Sequence, residues 1–385
     1  MLSAVRLLTA AALAFSGTAA PPPVRTQQEW VLDALNVEQA WTLTKGADVV
    51  VAVVDSGVDT KIKELKDKVT VGPDMTEPAL DRQLPPGRHG TAMAALIAGS
   101  GADGGLVGVA PEAKILSLPL PEEEDSPNFL PPAQEQSGSR ESPLARAIRY
   151  AANHGAKVVS LSLGAYGAQK SEREAVSYAL GKGVVLVAAV GNDGQTKYAK
   201  DNSTSYWSFP AGYPGVIGVG AVDRQGRRAS FSSDNLSVLV AAPGVEVPVV
   251  RGEGDYELSS GTSSATALVA GVAALIKSKY PQMSPAQVSQ AIALSARGRP
   301  AAGYDEKVGF GTVDAAAALN AAQQLSGQRR EVDMPSGRHF GEGEESPQPS
   351  PPGPDPWRLW LYGAGVILAL VTFCGAIIVL NQRKR

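Results

Sequence analysis

The 385-residue chain has one cysteine, Cys374, so no intrachain disulfide can form. Histidine is almost as scarce: only His89, His154 and His339 occur, too few for a histidine-rich metal site. No EF-hand spacing appears. No metal is predicted. Positive charge has no surplus, with 35 Lys and Arg against 38 Asp and Glu for a net charge of −3. Without a basic surplus or stripe, nucleic acid is not an expected partner. Internal repeats are absent. What remains is 44% hydrophobic and 19% charged, a globular composition that excludes a wholly disordered or fibrous chain. The 41 glycines and 28 prolines call for many turns and at least one non-globular stretch.

Both ends carry membrane signals. In residues 1–20, Arg6 gives a short positive start. Leu7 to Phe15 is an apolar run too short to span a bilayer, and small residues from Ser16 to Ala20 follow it. This reads as a signal peptide, cut near Ala19. Leu359 to Leu380 is a run of 22 residues without a charge. At about 1.5 Å per residue it is long enough for a hydrocarbon core of about 30 Å. Trp357, Trp360 and Tyr362 stand at its front edge, where aromatic rings favour the interface, and Arg383, Lys384 and Arg385 follow. The expected layout is therefore single-pass, with the tail cytoplasmic and the bulk of the chain extracellular. Ser326 to Pro356, rich in Pro, Gly, Ser and Glu, reads as an extended linker. The divisions are residues 1–20 signal, 21–46 an N-terminal leading segment, 47–325 the main domain, 326–356 linker, 357–381 transmembrane helix and 382–385 tail.

The main domain alternates two kinds of segment. Ala47 to Asp55, Lys114 to Leu118, Lys157 to Leu163, Val184 to Val190, Val216 to Val222 and Leu236 to Ala241 are continuous apolar runs. Such runs suit strands buried on both faces. Between and after them come helix candidates at Thr91 to Ala98, Pro143 to Asn153, Ser171 to Leu180, Thr262 to Lys279 and Ser284 to Ala296. The fold class is α/β, a mostly parallel sheet between helices. In such sheets ligands meet the carboxyl ends of the strands.

Three residues at those places combine into a chemical unit. Asp55 ends the first buried strand, His89 opens GRHGTAMAALIAG, and Ser263 lies where a Gly-Thr turn runs into an apolar helix. Each alone has a structural explanation: turn former, helix-start histidine, ordinary N-cap. Together they supply what a serine nucleophile needs, a base in reach and a buried carboxylate to orient that base. Asn192, in Gly191-Asn192-Asp193-Gly194 after another strand, can donate an amide N–H to a developing oxyanion.

Asp55-Ser56-Gly57, His89-Gly90-Thr91, Gly191-Asn192 and Gly261-Thr262-Ser263, in that order, resemble the subtilisin-like serine peptidases, whose triad also runs Asp, His, Ser. The likeness covers Val49 to about Leu319. It implies a subtilisin-like fold and a serine endopeptidase of polypeptide substrates, with Asp55, His89 and Ser263 as triad, Asn192 as oxyanion donor and no cofactor. Ser160-Leu161-Ser162-Leu163-Gly164 resembles the family strand that walls the substrate cleft, where an extended peptide pairs by β-addition. Gly309 to Asp314 resembles the family's closing turn. A narrower likeness is to the mycosins, membrane-anchored subtilases of type VII secretion. It rests on Gln27 to Gly46, on Gly108-Val109-Ala110-Pro111 and on the signal–peptidase–linker–span layout. It implies type VII secretion membrane components as partners.

Some subtilases bind calcium, so the likeness makes Asp59, Asp201 and Asp223 candidate calcium ligands. The likeness also has departures. Ala267 stands where the family usually has proline, and alanine continues a helix at least as well. About 30 residues separate the signal segment from the first strand, too few for a long inhibitory prodomain. Leu120 to Ser142 is a polar, Pro-rich insertion, read as a solvated loop or as a flap beside the cleft. Two other functions stay open: a structural subunit of a secretion complex with secondary proteolysis, and a general surface subtilase.

Overall fold

The computed structural model describes residues 23–76, 85–120, 141–326 and 356–382. The expected signal peptide, most of the insertion, nearly all of the linker and the last three residues lie outside them. Residues 1–340 and 341–385 form two separate compact units.

The first unit begins with helices α1 (Val24–Ala34) and α2 (Val37–Trp41). Strands β1 (Val50–Asp55) and β2 (Val69–Val71), helix α3 (Arg88–Ala98), strand β3 (Lys114–Pro119), helix α4 (Pro143–Asn153) and strand β4 (Val158–Leu161) follow. Next are the short β5 (Ala165–Tyr166), α5 (Lys170–Gly181), β6 (Val185–Ala189), α6 (Lys197–Asn202) and the short β7 (Ser208–Phe209). Strands β8 (Ile217–Val222), β9 (Val238–Pro243), β10 (Val247–Gly252) and β11 (Asp255–Ser259) precede α7 (Thr262–Lys279), α8 (Pro285–Ser295) and α9 (Ala315–Ser326).

Seven strands form one parallel sheet in the order β2-β3-β1-β4-β6-β8-β9. The period-two alternation of a strand explains its two-sided core. On β1, Val51 and Val53 face one apolar cluster with α3 and α7, while Ala52 and Val54 face the other with α4 and α5. Each apolar run in the sequence is thus a strand covered on both faces. The chain leaves β1 for β3 on one side and returns to β4 on the other. That reversal at β1 opens a crevice at the carboxyl ends, where Asp55 sits.

Helix α7 is buried from Thr262 to Lys277 except at Ser263, and it packs under the sheet. Ser284 caps α8 in a full capping box with Gln287, and Pro285 takes the first turn. The leading segment is tied in by polar contacts. The Gln28 side chain, wholly buried, donates to the Val107 carbonyl at 2.6 Å and accepts the Val107 N–H at 3.1 Å. Trp41 Nε1 donates to the Val109 carbonyl at 2.8 Å.

In the second unit, helix α10 (Pro356–Gln382) forms over the expected span. The described side chains from Trp360 to Gly375, Cys374 among them, are exposed. Counted over the described residues, no helix is long and apolar enough to cross a membrane.

Lys277 is a cation inside the core. Its Nζ donates to the Pro281 carbonyl at 2.9 Å and to the Met283 carbonyl at 2.7 Å, fastening the turn after α7. Burial first, and the Lys157 charge second, push its ammonium down from 10.5 to about 8. Between those two values the unfolded chain binds more protons than the folded one, so this group adds stability as pH rises. Urea titrations of wild type and Lys277→Met at pH values from about 8 to about 10 should show the difference drifting in the wild type's favour. A pH-independent difference would contradict it.

Candidate active site

Asp55 closes β1 with its side chain nearly buried. Its Oδ1 accepts the Ser56 N–H at 2.8 Å, the Ser56 hydroxyl at 3.3 Å and His89 Nδ1–H at 2.7 Å. A carboxylate only accepts, so Nδ1 carries the proton and Nε2 is left as the acceptor. Asp55 Oδ2 is buried without a hydrogen bond among the described residues. His89 stands in the first turn of α3 with its side chain 35% exposed, against 4% for Asp55. One edge of the imidazole is therefore pinned and the ring remains accessible.

The sequence reading starts this helix at Thr91. The structure starts it at Arg88, after Gly87 in extended backbone, so His89 is inside the first turn. Two further residues hold it there. Ser56 Oγ accepts the Gly90 N–H at 3.1 Å, and Thr91 Oγ1 accepts the Asp59 N–H at 2.8 Å while donating to the Gly87 carbonyl at 2.6 Å. A Cβ on Gly90 would meet the Gly57 carbonyl oxygen at 2.4 Å, so the two motifs touch backbone to backbone. Ser56 and Thr91 belong to the motifs that singled out Asp55 and His89, but their spacing gives no hint of these contacts.

Ser263 is the second residue of α7, and Gly261 is the N-cap. Its Oγ donates to the Ser162 carbonyl at 3.4 Å, and Ser162 Oγ donates to the Ser263 carbonyl at 3.2 Å. Val54 pairs with Leu161, so Asp55, the last residue of β1, and Ser162, the residue just past β4, lie at neighbouring strand ends. Ser263 thus sits at the same strand ends as Asp55. Of the proposed cleft wall, Ser160 and Leu161 are buried within β4, while Ser162, Leu163 and Gly164 are half-buried. Only the last three can present side-chain or backbone atoms to a cleft.

Asn192 follows β6, and its Oδ1 accepts the Thr262 N–H at 3.0 Å and the Thr262 hydroxyl at 3.1 Å. With the oxygen so occupied, Nδ2 faces the other way. A Cβ built on Gly261 would lie 3.7 Å from Asn192 Nδ2 and 3.8 Å from the Ser263 nitrogen. Both donors therefore border one space, at the positive end of α7. An oxygen that gains negative charge there meets two N–H groups. Burial first, and a hydrogen bond to Asp193 second, push the Tyr166 hydroxyl above its ordinary range.

The candidate calcium ligands do not converge. Asp59 Oδ1 accepts the Lys61 N–H at 2.8 Å, Asp201 pairs with Lys197, and Asp223 pairs with Arg227 at 2.8 Å. Among the described residues, no three His, Cys, Asp or Glu side chains are grouped to hold a metal.

A parallel sheet with this site at its strand ends has known relatives. Residues 46–311 match the Subtilase family, Peptidase S8, and the chain belongs to that family. Fervidolysin of Fervidobacterium pennivorans is 35% identical over 337 residues, covering 79% of this chain. The chain spans about half of that relative, 45% of its length. Mycosin-1 of Mycobacterium tuberculosis is 36% identical over 329 residues, covering 75% of this chain and 72% of the relative. The crystal structure of MycP1 from the ESX-1 type VII secretion system superposes with a TM-score of 0.61 at 31% identity, over 75% of this chain and 85% of that one. The fold is therefore the subtilisin-like α/β fold, and the chain resembles the mycosins among other subtilases.

Gly261 offers a direct check on the two-donor space. Its φ of 171° is extended backbone, and its added Cβ would make only ordinary contacts. Gly261→Ala should keep the melting temperature within about 3 °C, in line with a change of under about 1 kcal/mol. It should still cut the reaction rate by about 10²-fold, the loss typical of one oxyanion donor. A variant that reacts at the wild-type rate would show that the space is not used.

Proposed function

We propose that this chain is a serine endopeptidase of polypeptide substrates, anchored in the membrane by one C-terminal helix and associated with type VII secretion. The observation that carries the chemistry is the 2.7 Å bond from His89 to Asp55, at strand ends shared with Ser263 and with the two donors that border one space. Ser263 Oγ turns its proton from the Ser162 carbonyl to His89 Nε2 and attacks the peptide carbonyl carbon. The imidazolium is stabilised by Asp55, whose carboxylate stays ionised. Asn192 Nδ2 and the Ser263 N–H receive the oxyanion. The tetrahedral adduct collapses, the C–N bond breaks, and His89 gives its proton to the leaving amine. Water, deprotonated by His89, then hydrolyses the acyl-enzyme and restores Ser263. No cofactor enters the cycle. Ser162, Leu163 and Gly164 are the segment against which an extended substrate adds as a strand.

Ser263→Ala should fold normally and lose turnover by a factor on the order of 10⁵ or more. It should also lose all labelling by a fluorophosphonate probe that modifies the wild type. Equal labelling of the two proteins would move the nucleophile elsewhere.

The anchor reading is supported by the 22 uncharged residues from Leu359 to Leu380, the aromatic residues before them and the basic residues after them. The secretion reading is supported by the likeness to Mycosin-1 and to MycP1 of the ESX-1 type VII system. The peptidase is then extracellular and the C-terminus cytoplasmic. Full-length protein should sediment with membranes and resist alkaline carbonate, whereas a chain ending at Ser326 should be released. A full-length chain that carbonate strips from the membrane would overturn the anchor.

A further inference from the structure

The backbone on either side of Asn192 is held by one residue, Ser233. The Ser233 N–H donates to the Gly191 carbonyl at 2.9 Å. The Ser233 hydroxyl oxygen accepts the Asp193 N–H at 3.0 Å. Gly191 has φ of +101°, and a Cβ there would stand 3.0 Å from Ser233 Oγ, so the loop packs directly on the hydroxyl.

Ser233 is wholly buried, and its own segment is fixed from several directions. Ser232 Oγ accepts the Ala221 N–H of β8 at 3.0 Å. The Asp234 carboxylate pairs with Arg228 at 3.1 Å and accepts the Ser205 hydroxyl at 2.7 Å. The Gly194 N–H reaches back to the Phe231 carbonyl at 2.8 Å. A rigid buried segment thus grips the loop, while Thr262 sets the amide plane from the other side.

We propose that Ser233 is a positioning residue for the oxyanion donor. By clamping Gly191 and Asp193 it aims Asn192 Nδ2 before substrate arrives, so no reorganisation is needed as charge develops. The inference rests on the serine peptidase reading above and goes further, since Ser233 itself touches neither substrate nor the reacting atoms. It acts only through Asn192. That dependence separates positioning from a general structural role.

The test is a double-mutant cycle on the full-length protein in detergent, with wild type, Asn192→Ala, Ser233→Ala and the double variant. The readout is inactivation by a fluorophosphonate, which places a phosphoryl oxygen in the two-donor space while Ser263 Oγ displaces fluoride. Ser233→Ala should lower the maximal inactivation rate about tenfold or more, as misplacement of a reacting group does. The probe concentration at half-maximal rate should change little. In the Asn192→Ala background the same substitution should cost less than about threefold. Equal fold losses in both backgrounds, an effect confined to half-saturation, or an unchanged rate would each overturn the proposal. A wild-type rate in Asn192→Ala alone would instead overturn the oxyanion reading beneath it. If Ser233→Ala lacks a cooperative melt, Ser233→Cys takes its place in the same cycle. It has nearly the same shape and a weaker acceptor, and the same outcomes decide.

Discussion

Helix α7 has no polar face to offer water. It is buried along nearly its whole length, and Ser263 is the residue of its first turns that keeps some exposure. A helix apolar all round must lie inside the domain. Here it lies under the parallel sheet, packed against β4, β6, β8 and β9. That burial fixes where its first turn emerges, at the carboxyl ends of the strands. The nucleophile candidate, its N–H and the positive end of the helix are thereby delivered to the crevice at β1. If α7 shifted, Thr262 would lose Asn192 and Ser263 would lose Ser162 together.

The site is assembled from five stretches far apart in sequence, each brought in by a separate constraint. Asp55 arrives on the inner strand β1, His89 on the first turn of α3, Ser162 past β4, Asn192 past β6 and Ser263 on α7. Short polar contacts then convert proximity into geometry. Ser56 joins the first two motifs, Thr262 joins the last two, and Ser233 grips the loop between. The apolar core sets the approximate arrangement, and these hydrogen bonds fix the motifs relative to one another. Three of the relevant side chains, Ser56, Thr262 and Ser233, are hydroxyl residues that belong to neither apolar cluster.

Much of this was legible in the sequence, and the failures have physical causes. The six apolar runs are six of the seven sheet strands, because a strand covered on both faces leaves an uninterrupted signal. Helices α4 and α7 have the expected bounds. Strand β2 and the β10–β11 pair went unread: β2 is three residues long, and β11 has only exposed and half-exposed residues with no apolar run. Helix α1 buries Gln28 among Val24, Val31 and Leu32, so its inward face carries a polar residue that only the partner loop explains. The motifs named Asp55, His89, Asn192 and Ser263. They could not name Ser233, because its role depends on bonds to a loop about 40 residues away that has no periodicity linking it to that segment.

The central claim is that Ser263 Oγ is a nucleophile whose attack places an oxygen between Asn192 Nδ2 and the Ser263 N–H. It is tested most directly by a crystal structure of the full-length protein with a peptidyl boronic acid. The account predicts a covalent bond from Ser263 Oγ to boron, with one boronate oxygen within about 3 Å of both donors. It also predicts the peptide paired along Ser162, Leu163 and Gly164. Boron bonded to another residue, or to Ser263 with its oxygens turned away from both donors, would contradict the account.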